Sequence, residues 1–209
     1  MSKFLNVDYV ACLSPHPDDC EYAMSATVKK YSDTMFTIYN ISSGGKHSSS
    51  GEVRLNEVKR FWNQYENAHV SFIGIEFIRD LKYDSFISKI ENEFKKTAYY
   101  DLLLSPPNED THQDHRKINK IANSLTRSKK MGLVEYMTPS TKIGWVPNMF
   151  VDVTDEIEHK YLNLFNSFES QLDKPYFTKE VFNSYHNNYQ TVKRNLNNVE
   201  FFKVRSLYQ

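Results

Sequence analysis

The chain has 209 residues, 40% hydrophobic and 25% charged, which is enough to bury one sizeable core in a single domain spanning 1–209. Its 26 Lys and Arg balance 26 Asp and Glu, so no charge-driven attraction to nucleic acid or to an anionic membrane is expected. Cys12 and Cys20 are too few for a disulfide scaffold, and no apolar run reaches the roughly 18 residues of a membrane span, so the expectation is a soluble, cytoplasmic protein with reduced thiols.

In chain order, Tyr9 to Leu13 reads as a short buried strand, Glu21 to Tyr31 as a helix and Thr34 to Ile41 as a second strand. Ser42 to Gly51 is rich in Ser and Gly and reads as a loop. Glu52 to Ala68 places Val53, Leu55, Val58, Phe61, Trp62 and Tyr65 at helical spacing. Val70 to Ile75 reads as a strand, Ser85 to Lys96 as a helix, Asp101 to Ser105 as a strand and Gln113 to Thr126 as a helix. Leu133 to Met137 and Met149 to Val153 add strands, and Thr154 to Gln171 a helix opened by Thr154 or Asp155. The tail from Pro175 is aromatic and polar without clear periodicity, and is expected to pack across the core. Strands alternating with helices predict an α/β fold, a Rossmann-like three-layer sandwich with a mostly parallel sheet.

Two polar clusters interrupt this pattern at equivalent places. Ser14-Pro15-His16-Pro17-Asp18-Asp19-Cys20-Glu21 leaves the end of the first strand and enters a helix. Asn108-Glu109-Asp110-Thr111-His112-Gln113-Asp114-His115 follows the run Asp101 to Ser105 and also enters a helix. Acidic residues before a helix are ordinary caps, with a favourable charge at the helix dipole. Two such clusters rich in His and Asp, both at carboxyl ends of strands where open α/β sheets bind ligands, are hard to explain as unrelated caps.

The pair His-Pro-Asp-Asp-x-Glu and His-x-Asp-His resembles the PIG-L/LmbE family of zinc-dependent de-N-acetylases, which act on N-acetylglucosamine-type substrates. The resemblance extends along nearly the whole chain, through Ser42-Ser43-Gly44-Gly45, Arg54-x-x-Glu57, Asn148 to Val153, Ser170-Gln171 and Val199-Glu200-Phe201-Phe202. The chain departs where the family often has Gly-Gly and it has Met24-Ser25-Ala26. The resemblance implies a metal site at the carboxyl ends of the strands, with His16, Asp19 and His115 as ligands of Zn2+ (or Fe2+ or another divalent cation). It also implies that Asp18 is the general base, His112, if protonated, the oxyanion partner and Asp114 a carboxylate orienting an imidazole. Gly44, Gly45 and Arg54 are candidates for contact with an N-acetylated sugar or glycoconjugate, with an i,i+3 pair to Glu57 the equal alternative for Arg54.

Amide hydrolysis needs an activated water, a polarised carbonyl and a proton for the leaving amine, and a divalent cation beside a free carboxylate meets those needs. Three readings follow: this deacetylase, another metal hydrolase such as a phosphoesterase, or a carbohydrate-binding relative without activity. Cys20 is a further ligand candidate, weaker than its reading as a packed thiol, and Tyr136 and Trp145 are candidates for stacking on a sugar. His47, His69, His159 and His186 lie outside both clusters and read as surface or core residues. A homo-oligomer stays open.

Overall fold

The computed structural model describes residues 2–44, 51–96, 99–187 and 196–207. Among the described residues seven strands form one sheet: β1 (Tyr9–Ser14), β2 (Met35–Ser42), β3 (Ala68–Ile75), β4 (Leu102–Ser105), β5 (Gly132–Tyr136), β6 (Met149–Asp152) and β7 (Val199–Ser206), in the order β3-β2-β1-β4-β5-β7-β6. The run from β3 to β5 is parallel throughout, while β7 is antiparallel to both β5 and β6. The helices are α1 (Asp19–Lys30), α2 (Gly51–Trp62), α3 (Tyr83–Phe94), α4 (Gln113–Lys129), α5 (Ile157–Ser167) and α6 (Lys179–His186).

Successive residues of each central strand serve opposite cores, as the two-residue period of a strand requires. Val10 and Cys12, Phe36 and Ile38, and Leu102 and Leu104 face a cluster shared with α1, α2, α5 and α6. Ala11 and Leu13, Tyr39 and Ile41, and Leu103 face a second cluster with α3 and α4. Both faces are covered, so β1 and β4 appear in the sequence as continuous apolar runs rather than alternating ones. Among the described residues no helix is long and apolar enough to cross a membrane.

The α/β prediction therefore holds, with three corrections. The helix expected over Glu52–Ala68 stops at Trp62, because the chain must reverse to enter β3 at Ala68. The helix expected over Thr154–Gln171 starts only at Ile157, after Glu156 as its N-cap, and breaks at Phe168, whose ψ of 58° is non-helical; a short 3₁₀ turn, Glu169–Gln171, follows. The tail does not merely lie across the core. It supplies α6, and then β7 enters the sheet between β5 and β6, with Phe202 opposite both Tyr136 and Met149.

That tail also seals α1, which is buried from Asp19 through Val28. Inside the seal, the Nζ of Lys160, fully buried, donates to Glu200 Oε1 at 2.5 Å and to His186 Nε2 at 2.8 Å. Glu200 also accepts the backbone N–H groups of Ala26 and Thr27 at 3.1 and 2.7 Å, so one carboxylate joins α1, α5 and β7. Burial lowers the Lys160 ammonium from its ordinary value and Glu200 opposes that shift. Lys160→Met leaves the Glu200 carboxylate buried without its cation, and is expected to cost about 3–5 kcal/mol in urea unfolding. Adding Glu200→Gln should recover part of that loss.

Candidate active site

β1 and β4 are neighbours, yet the chain leaves β1 toward β2 on one side and returns to β4 on the other. This reversal opens a crevice at the carboxyl ends of the two strands, the usual ligand position in such sheets. Both polar clusters lie there. His16, Asp18 and Asp19 follow β1, His112 and His115 follow β4, and Arg54 and Gly44 join them around one cavity of about 340 Å³. Asp114 touches His16 from the first turn of α4. Gly45 and His47 lie outside the described residues.

Local chemistry sets each side chain. Ser14 Oγ donates to the His16 carbonyl at 2.9 Å, and the His16 N–H donates to Asp19 Oδ2 at 2.8 Å, closing the turn after β1. Asp18 caps α1 with φ of 100°, a left-handed conformation that costs a non-glycine residue on the order of 1–3 kcal/mol. Its N–H donates to Glu21 Oε2 at 3.1 Å, and Trp62 Nε1 donates to Glu21 Oε1 at 2.6 Å, so a buried carboxyl behind the loop holds that conformation. After β4, Asp110 Oδ1 accepts the His112 N–H at 2.7 Å, and His112 Nδ1 accepts the Asp114 N–H at 3.2 Å.

The imidazoles converge on Asp19. His16 Nδ1 lies 3.3 Å from Asp19 Oδ2, and His115 Nε2 lies 3.3 Å from Asp19 Oδ1. The opposite nitrogen of each ring meets a second carboxylate, His16 Nε2 at 3.1 Å from Asp114 Oδ2 and His115 Nδ1 at 2.9 Å from Asp110 Oδ2. Each ring is thus oriented by one carboxylate and aimed at another, the arrangement that fixes the tautomer of a metal-binding histidine. Nitrogens of His16, His112 and His115 also lie within 4.8 Å of one another.

The electrostatics favour a cation. Burial disfavours charge on His115, yet Asp19 and Asp110 overcome it and raise the imidazole to about 10. Asp19 is buried too, but His115 and His16 hold its carboxyl well below the usual range. A site that retains a proton this strongly presents two nitrogens and a carboxylate to a divalent metal once that proton leaves. The donor set of two imidazoles and one carboxylate fits a divalent cation of the zinc type. Asp18 behaves oppositely: burial pushes its carboxyl up to about 6, with Arg54 working against that shift.

Arg54 does not pair with Glu57 along α2. Its Nη2 donates to the Pro17 carbonyl at 2.5 Å and lies 3.4 Å from Asp18 Oδ2, while Glu57 accepts from the Ser170 N–H at 2.8 Å and its hydroxyl at 2.6 Å. Gly44, at φ of 91°, lies so close that a Cβ there would stand 1.9 Å from Arg54 Nη1. The stacking candidates are buried elsewhere, with Tyr136 donating to the Leu13 carbonyl and Trp145 to Glu135. Cys20 is fully buried and its thiol is pushed well up by burial, which makes it a packed neutral residue rather than a thiolate ligand. Burial and its histidine neighbours lower His112 from its ordinary value, and because Nδ1 accepts the Asp114 N–H, Nε2 is the nitrogen left to donate.

Sequence reasoning missed two participants. Asp110, fully buried, orients His115 and also accepts from the Thr138 hydroxyl at 2.6 Å. Tyr176, from the tail, lines the cavity and donates to Asp18 Oδ2 at 3.1 Å.

A family model described as PIG-L, GlcNAc-PI de-N-acetylase, matches residues 11–126, more than half of the chain and both clusters. The chain belongs to the PIG-L family. Among related sequences this PIG-L chain is 24% identical over 192 residues to the diacetylchitobiose deacetylase of Thermococcus kodakarensis, covering 80% of this chain and 72% of that one. Among solved structures it is similar to N,N'-diacetylchitobiose deacetylase from Pyrococcus horikoshii, with TM-score 0.74 and 21% identity over 96% of this chain and 85% of that one. The same fold, at TM-score 0.75 and 14% identity over 97% and 98% of the two chains, belongs to GalB, the 4-carboxy-2-hydroxymuconate hydratase from Pseudomonas putida KT2440.

Proposed function

We propose that this PIG-L chain is a metal-dependent de-N-acetylase that hydrolyses the N-acetyl amide of an amino sugar or a related glycoconjugate. The observation that carries the reading is the pair of imidazoles turned onto Asp19 with the Asp18 carboxylate free of that cluster in the same cavity. The relatives named for diacetylchitobiose supply the substrate class.

His16 Nδ1, Asp19 and His115 Nε2 would hold the cation, and zinc suits this donor set. A cation held there would lower the pKa of water and polarise the acetyl carbonyl. The chain's own residues do the rest. Asp18 takes a proton from the attacking water as the new C–O bond forms, and passes it to the amine nitrogen as the C–N bond breaks, leaving acetate and a free amine. His112 donates from Nε2 to the oxygen on which negative charge develops. Asp114 and Asp110 keep His16 and His115 in the tautomers that expose the right nitrogen. Gly44 and Arg54 form the substrate wall, Gly44 because a side chain there would displace the Arg54 guanidinium.

The fold shared with GalB motivates a second reading, water addition to a carbon–carbon double bond. Incubating the zinc-loaded protein with N-acetylglucosamine and N,N'-diacetylchitobiose separates the two. The deacetylase reading expects acetate and a primary amine in equal amounts. Absence of both, with hydration of an unsaturated carboxylic acid, would favour the hydratase.

A further inference from the structure

Asp18 is placed by more than its own loop. Two donors from distant parts of the chain converge on one of its oxygens: Arg54 Nη2 from α2 lies 3.4 Å from Oδ2, and the Tyr176 hydroxyl, 158 residues away in sequence, donates to Oδ2 at 3.1 Å. Neither of these two is on Oδ1, and the capping box at the start of α1 adds the Glu21 backbone N–H as a donor to the same side chain. Tyr176 is itself fixed by α1, since the Tyr22 hydroxyl donates to the Tyr176 carbonyl at 2.9 Å and the two rings meet edge to face at 5.7 Å. The turn Pro175–Phe177 that carries Tyr176 is thereby docked on the helix that Asp18 caps.

We propose that Tyr176 is a positioning residue for hydrolysis: with Arg54 it ties down Asp18 Oδ2, so that Oδ1 faces the reacting water and carries the proton to the amine. This inference rests on the reading of Asp18 as general base. In this role the hydroxyl adds no charge and acts through the carboxylate. It fixes which of two equivalent oxygens is presented, and a misdirected base loses rate without loss of binding.

Tyr176→Phe keeps the ring and removes only the donor, so the fold is retained. With N,N'-diacetylchitobiose as probe, kcat should fall about tenfold to a hundredfold while KM stays within about twofold. Against Asp18→Asn, whose own loss is larger, adding Tyr176→Phe should change the residual rate by less than about twofold, because the hydroxyl acts through the carboxylate. A wild-type kcat in Tyr176→Phe, or an equal further loss in the Asp18→Asn background, overturns the positioning role. Full activity in Asp18→Asn alone would instead overturn the base on which it rests. A readout that needs no turnover is the crystal structure of each protein. Asp18 should hold a single carboxylate orientation in the wild type and more than one in Tyr176→Phe, and an unchanged orientation contradicts the proposal.

Discussion

Asp18→Asn is expected to keep its metal and lose about 10²–10⁴-fold in kcat, the span typical of a positioned general base. The amide is nearly isosteric and leaves Asp19, His16 and His115 untouched, so metal content by elemental analysis should match the wild type. What disappears is the proton acceptor. Burial pushes the Asp18 carboxyl up to about 6, and a base works only when ionised, so wild-type turnover should fall as pH drops through about 6. A bound cation nearby favours the carboxylate and moves this acid limb lower, never higher. The residual rate of Asp18→Asn should show no such limb. Wild-type turnover in the variant would place the base elsewhere.

His115→Ala is expected to abolish metal retention and, with it, activity. The ring supplies Nε2 to the cluster, and no other described side chain stands between Asp110 and Asp19 to replace it. Asp19→Ala should share the loss, whereas His112→Ala should keep the metal, because His112 Nδ1 is used by the Asp114 N–H and its ring is not turned onto Asp19. Loss of metal in His112→Ala with retention in Asp19→Ala would replace this ligand set by three histidines. Proton traffic gives an independent check. With His115 raised to about 10 in the cation-free protein, metal binding at pH 7 should release about one proton, measurable by calorimetry in buffers of different ionisation enthalpy. The same shift fixes a sign for stability. The contribution of His115 is full below its ordinary value of 6.5 and is lost as pH rises through about 10, so the metal-free protein should weaken over that window.

The site was legible in the sequence where its parts are local. His16, Asp18 and Asp19 occupy one turn, His112 to His115 one helix start, and each stands behind a strand whose continuous apolar run declares both faces buried. The spacing also placed a carboxylate beside an imidazole, but assigned the task to Asp114 alone. Asp114 serves His16, while Asp110, five residues before His115, does the same for His115 through a turn that helical spacing does not describe.

What was not legible depends on distant contacts. The strand β7 carries Val199, Glu200, Phe201 and Phe202, all buried, so no two-residue alternation marks it. Glu200 breaks the apolar run, and its reason to be there is Lys160, 40 residues earlier. Tyr176 gives no local signal either. It sits among aromatics that pack on Tyr22, and only the folded chain brings its hydroxyl to Asp18. Arg54 read equally well as a substrate clamp or a partner of Glu57; Ser170 takes Glu57, which leaves the guanidinium to Asp18.

The most direct test is a metal titration of activity. The protein is stripped with a chelator, zinc is returned in small increments, and acetate released from N,N'-diacetylchitobiose is measured at each step. A single-cation deacetylase gives no acetate at zero loading, a linear rise, and a plateau at about one equivalent per chain. Acetate that appears only as two equivalents are added would point to a two-metal hydrolase, and no acetate at any loading would contradict the deacetylase.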